Sequence, residues 1–287
     1  MGTFVIQNAH SLSLLSNSSS LSITPSLFNH HQVRFSFIPN HKPITRTTRR
    51  NILNLNMSLS SQTPGFEQKR VIIPNKHGEK LVGILHDSGT NEIVILCHGF
   101  RSSKESKTLV NLAAALEKAG ISSFRFDFSG NGESDGSFQY GYYWREAEDL
   151  RAVTQHFHES NRLVTAIVGH SKAHLFYYYM IITVAGNSEY RVTLESLLDR
   201  LNTDMLEACL QIDNECRVLT VHGSSDTVIS VGDAFHFAQA IPNHTLHIIE
   251  GADHPYNNHQ NELASLVVNF IEETLHQDRD TSTSSCE

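Results

Sequence analysis

The chain has 287 residues, 39% of them apolar, 18% charged and 8% aromatic, which is enough for one large core or two small ones and excludes a disordered or fibrous protein. Lys and Arg number 22 against 30 Asp and Glu, a formal charge of −8. A surface of that sign repels phosphate backbones and anionic lipid, so nucleic acid is a poor partner. No stretch reaches the roughly 18 to 20 uninterrupted apolar residues that a membrane-spanning helix needs. The cysteines, Cys97, Cys209, Cys216 and Cys286, have no CxxC spacing; they suit a reducing compartment better than a disulfide framework.

Composition changes near residue 60. The first acidic residue is Glu67, and before it the only charges are Arg34, Lys42, Arg46, Arg49 and Arg50 amid many Ser, Thr and Asn. A basic, hydroxyl-rich, acid-free segment resembles an organellar transit peptide, so residues 1–60 are expected to be disordered and to direct the protein to the chloroplast, with the mitochondrion as the alternative. A polar tail with no address is the plainer reading. Met57 is an internal start that would give a cytoplasmic form. Removing residues 1–50 leaves 17 Lys and Arg against 30 Asp and Glu.

From about residue 65 apolar runs alternate with amphipathic stretches. Val71–Pro74 and Leu81–His86, separated by the turn composition Asn75-Lys76-His77-Gly78, predict an antiparallel hairpin. Ile93–Cys97 is a continuous apolar run, as in a strand buried on both faces. Leu109, Leu112, Ala113, Leu116 and Ala119 fall at helical spacing, with Gly120 as a stop signal. Phe124, Phe126 and Phe128 alternate as a strand, Tyr140–His158 predicts a helix, and Leu163–Val168 another buried strand. After the expected strand near Ile181–Val184 and helix near Leu194–Ile212 come strands at Val218–Val221 and Leu246–Ile249 around a helix at Phe235–Ala240. In the last helix Leu263, Leu266, Val267, Phe270, Ile271 and Leu275 recur at steps of three and four, and residues 276–287 are expected to be a disordered polar tail. Strands alternating with helices imply an α/β fold with a mostly parallel sheet covered on both faces, in which ligands bind at the carboxyl ends of the strands.

The residues at those ends carry chemistry. After Leu163–Val168 comes Gly169-His170-Ser171-Lys172-Ala173, close to the G-x-S-x-G turn that holds a serine in strained backbone between strand and helix. A serine hydroxyl is barely nucleophilic at neutral pH, so an imidazole must take its proton and a carboxylate must orient that imidazole. Asp226 lies in the loop beyond Val218–Val221, and His254 beyond Leu246–Ile249. Asp233 and Asp253 are alternative acids, although Asp253 adjoins His254 and Asp233 lies at least a turn past the loop. Other features have duller readings. Gly130, Gly132 and Gly136 match neither a P-loop nor a dinucleotide fingerprint and read as turn chemistry, His156 and His158 face different directions on a helix, and Tyr177-Tyr178-Tyr179 reads as packing. Neither a metal site nor a cofactor is indicated.

On these residues the chain resembles the α/β-hydrolase superfamily over about residues 65–275, most closely its serine-hydrolase branch of small esterases, acylglycerol lipases and aminopeptidase-like members, and within it plant plastid hydrolases. Cys97-His98-Gly99-Phe100, Phe126–Ser134, the serine turn, Val221-His222-Gly223 with Asp226, and Gly251-Ala252-Asp253-His254 carry the likeness. It implies a Ser171, Asp226, His254 triad, an oxyanion hole made by the backbone N–H groups of Phe100 and Lys172, and hydrolysis of a small-molecule ester or amide without a cofactor. A small-molecule receptor on the same fold and an inactive relative are the alternatives. The turn departs from the pattern at Ala173 and His174, and only 55 positions separate Ser171 from Asp226. Little room remains for the cap usual in such proteins. A reduced or absent cap is therefore expected, as in a shortened form of a larger hydrolase altered around His174 to Ser188.

Overall fold

The structure, a computed structural model, describes residues 2–7, 67–171, 198 and 204–284. Its elements in chain order are β1 (Thr3–Gln7), β2 (Glu67–Pro74), β3 (Lys80–Asp87), β4 (Glu92–Cys97), α1 (Lys107–Lys118), β5 (Ser122–Phe126), α2 (Tyr143–Glu159), β6 (Leu163–His170), α3 (Met205–Leu210), β7 (Arg217–Gly223), α4 (Val231–Ala240), β8 (His244–Ile249) and α5 (Gln260–Ser284). The strands form one eight-stranded sheet in the order β2-β3-β5-β4-β6-β1-β7-β8. Pairing is parallel for β5-β4-β6 and for β7-β8, and antiparallel wherever β3 or β1 takes part. Six strands therefore run one way, with β3 and β1 reversed. This is the α/β-hydrolase fold, with the expected hairpin in β2 and β3.

The strand β4 shows why the sheet needs helices on both faces. Its side chains alternate across the sheet: Val94 and Leu96 pack into a core with Leu109, Leu112 and Leu116 of α1 and Leu263, Val267 and Ile271 of α5. Ile93, Ile95 and Cys97 pack on the other side with Phe124, Phe126, and Val153 and Phe157 of α2. A strand apolar at every position thus feeds two cores at once. Boundaries shift modestly from the periodicity: β5 ends at Phe126, leaving the buried Phe128 in the following turn, and α2 starts at Tyr143 rather than Tyr140.

Two larger differences concern the ends of the chain. Residues 1–60 were expected to be disordered, yet Thr3–Gln7 is a strand within the sheet, paired antiparallel with β6 on one side and β7 on the other. It belongs by its contacts to the same compact unit as the rest of the sheet. Thr, Phe, Val and Ile fit a pleated surface well, and the average composition of the segment hides this short run. Burying Val5 completely contributes about 1.5 to 3 kcal/mol, but among the described residues Thr3 Oγ1 and Gln7 Oε1 are buried without partners, each costing about 1 to 3 kcal/mol. The two costs together offset or exceed that gain, so the hydrogen-bond ladders on both edges are what hold β1. At the other end, α5 continues to Ser284 where a disordered tail was expected from 276. The expected strand near Ile181–Val184 lies outside the described residues, and the place between β6 and β7 is held by β1.

Candidate active site

The strand β6 delivers Ser171 at the rim of the sheet. The residue has φ +73°, a left-handed conformation that costs a non-glycine residue about 1 to 3 kcal/mol. Its backbone N–H donates to the Gly2 carbonyl at 3.0 Å, continuing the β1–β6 ladder past the last strand residue. The end of β4 approaches from the other side. A Cβ on Gly99 would lie 2.9 Å from the His170 carbonyl oxygen and 3.0 Å from Ser171 Cβ, so only glycine lets this loop come so close. Phe100, the next residue, meets Phe138 and Tyr140 edge-on at ring-centroid distances of 5.4 and 5.8 Å.

The three residues expected at the strand ends come together. Ser171 Oγ is 2.6 Å from His254 Nε2, and His254 Nδ1 is 2.7 Å from Asp226 Oδ2. Because an ionised carboxylate only accepts, His254 donates from Nδ1–H and leaves the Nε2 lone pair facing the serine hydroxyl, which donates to it. Asp226 Oδ1 accepts from the amides of Val228 and Ile229, both at 2.8 Å. Burial disfavours the charge on Asp226, but the hydrogen bond from His254 and those two amides outweigh it and hold the carboxyl below the usual range. The acid is thus fixed by its own loop as well as by the histidine. Neither alternative acid shares this geometry: Asp253 turns away to accept from the backbone and side-chain amides of Asn257 at 2.8 and 2.7 Å, and Asp233 lies in the first turn of α4.

Three further side chains surround the row. His170 donates from Nε2 to the His254 carbonyl at 3.1 Å, and burial depresses its pKa to about 4, so it is neutral near pH 7. His222 is fully buried and likewise held low by burial; it accepts from the Gly2 N–H through Nδ1 at 3.2 Å and donates through Nε2 to the Ile229 carbonyl at 3.2 Å. Tyr256 donates its hydroxyl to the Val221 carbonyl at 2.7 Å and accepts from the Thr3 N–H at 3.1 Å. None of the three is among the site residues expected from the sequence: His170 and His222 stand inside the strand-end motifs, whereas nothing in the sequence marks Tyr256. Of the expected oxyanion donors, Phe100 adjoins the Gly99 contact, while Lys172 lies outside the described residues with Ala173, His174 and Tyr177–Tyr179.

The glycine-rich segment after β5 is engaged internally. The Asp127 carboxylate accepts from the Lys104 backbone N–H and Nζ, each at 2.6 Å, and from the Glu133 N–H at 3.0 Å. Asp149 accepts from the Ser129 N–H and hydroxyl at 2.8 and 2.7 Å, and the Gly130 N–H donates to the Asp135 carbonyl at 2.8 Å. His98 Nε2 accepts from the Phe128 N–H at 3.1 Å, which joins this turn to the end of β4. Amides spent in this way frame a turn and do not cradle a phosphate. Among the described residues no group of three or more His, Cys, Asp or Glu could hold a metal ion, and no helix is long and apolar enough to cross a membrane.

Residues 89–172 match the family of serine aminopeptidase, S33. The matched span runs from β4 through Ser171 and stops before Asp226 and His254. None of the curated proteins compared with the chain matches it. Among solved structures, the ferulic acid complex of Est1E from Butyrivibrio proteoclasticus is 19% identical with a TM-score of 0.61, covering 72% of this chain and 99% of that one. The esterase Pf2001 of Pyrococcus furiosus is 21% identical with a TM-score of 0.55, over 77% of this chain and 99% of its own. XC6422 from Xanthomonas campestris, described as an α/β serine hydrolase without a lid, is 18% identical with a TM-score of 0.50, over 72% and 94% of the two chains. The structural likenesses agree with the α/β-hydrolase fold read from the sheet, and the family match covers the segment that delivers Ser171.

Proposed function

We propose that this α/β-hydrolase-fold chain is a serine hydrolase that cleaves a carboxylic ester, or a small amide, by acyl transfer at Ser171. The hydrogen-bonded row from Ser171 Oγ through His254 to Asp226, at 2.6 and 2.7 Å, carries the proposal. Ser171 Oγ bonds to the substrate carbonyl carbon as its proton passes to His254 Nε2, and the carbonyl electron pair moves onto oxygen. Asp226, already ionised, stabilises the imidazolium without taking its proton. The oxyanion falls to the Phe100 and Lys172 amides, each donor stabilising the transition state by about 2.7 to 4 kcal/mol. Collapse breaks the bond to the alcohol or amine, which leaves with the proton from His254. Water then repeats the sequence on the acyl-enzyme, with His254 as base, releasing the acid and restoring the serine.

The esterases among the similar structures support an ester as the first substrate class to try. Full-length protein should hydrolyse p-nitrophenyl acetate or butyrate, and Ser171→Ala should lower kcat on the order of 10⁴-fold or more. A Ser171→Ala variant that retains the parent rate overturns the proposal.

A further inference from the structure

We propose that residues 2–7 are a positioning segment of the active site, the strand that holds the nucleophile of one half-sheet against the acid and base of the other; this rests on the serine-hydrolase reading. Among the described strands, β6 pairs with β4 and β1, and β7 pairs with β1 and β8. Ser171 therefore ends one block of strands, while Asp226 and His254 follow strands of the other. Among the described strands only β1 bridges the two by sheet hydrogen bonds.

The contacts at the start of β1 fall on the site itself. The Gly2 carbonyl accepts from the Ser171 N–H at 3.0 Å, and the Gly2 N–H donates to His222 Nδ1 at 3.2 Å. His222 in turn donates to the carbonyl of Ile229, whose amide holds Asp226 at 2.8 Å. One residue further on, the Thr3 N–H donates to the hydroxyl of Tyr256, two positions after His254. Gly2 thus joins the backbone of the serine to the loop of the acid, and Thr3 joins it to the loop of the base. Fit is tight as well: a Cβ on Gly2 would lie 2.0 Å from the Val221 carbonyl oxygen and 2.2 Å from the Tyr256 hydroxyl. Far from the site, Gln7 Nε2 donates to the Ile271 carbonyl at 2.9 Å and fixes the other end of the strand on α5. A product started at Met57 lacks this segment, and on this account it lacks an assembled row.

Two measurements on the full chain test the proposal. Backbone amide exchange should show residues 3–7 protected like those of β6 and β7; exchange at the rate of an unstructured peptide overturns it. Gly2→Ala should lower kcat on a p-nitrophenyl ester by about 10- to 100-fold, as expected when reacting groups are misplaced by about an ångström, with KM within about twofold and a cooperative thermal transition retained. A segment that merely lay near the site would leave kcat unchanged, and a parent-like kcat for Gly2→Ala also overturns the proposal. If the parent chain shows no esterase activity, the hydrolase reading fails, whereas amide exchange still decides whether β1 occupies the sheet.

Discussion

His254 donates from Nδ1 to Asp226 Oδ2 at 2.7 Å, while the other Asp226 oxygen already accepts two backbone amides of its own loop. The carboxylate thus has one oxygen for the fold and one for the imidazole. An Asp226→Asn substitution can keep the first set of bonds through its carbonyl but presents an NH₂ group to His254. The ring is then driven to the tautomer with its proton on Nε2, where it cannot accept from Ser171. Asp226→Asn should lower kcat on the order of 10⁴-fold while leaving the thermal transition cooperative, as measured by ester hydrolysis and circular dichroism.

Ser171 occupies left-handed backbone at φ +73°, a conformation that glycine adopts at little cost. Ser171→Gly should raise stability by about 1 kcal/mol relative to Ser171→Ala, and neither variant should turn over substrate. Urea denaturation of the two variants checks this. Equal midpoints would mean that the strain at this turn is not stored in residue 171.

His170 gives the site a stability that depends on pH. Burial lowers its pKa from 6.5 to about 4, so between those values the unfolded chain binds a proton that the folded chain excludes. Stability contributed by neutral His170 is fully present above about pH 6.5 and is lost as the pH falls towards 4. The Asp226 carboxyl, also held below the ordinary aspartate value of 3.8, keeps its contribution above that value and loses it only as the pH falls further. The midpoint of thermal unfolding should therefore drop between pH 7 and 5, and His170→Gln should flatten the drop. An equal slope in the variant would assign the dependence to other groups.

Much of the fold was legible because its strands are short apolar runs between turn residues. Ile93–Cys97 has the length and the unbroken apolar character expected of a strand buried on both faces, and its two-sided packing matches that. The site was legible for a related reason: Ser171, Asp226 and His254 each stand just beyond such a run, where this fold gathers ligands. What composition concealed was β1. A five-residue strand inside a long acid-free segment was averaged into its surroundings, and pairing across 159 to 167 positions leaves no local signal. His222 and Tyr256 were missed with it, because their partners Gly2 and Thr3 lie just before and at the start of that strand.

Activation of the Ser171 hydroxyl is the central claim, and reaction of the full chain with a fluorophosphonate probe, followed by mapping of the modified peptide, tests it without knowledge of the substrate. A single adduct on Ser171, formed rapidly near neutral pH and absent from Ser171→Ala, is the predicted result. A chain that stays unmodified at Ser171, or reacts there no faster than at its other serines, contradicts the account.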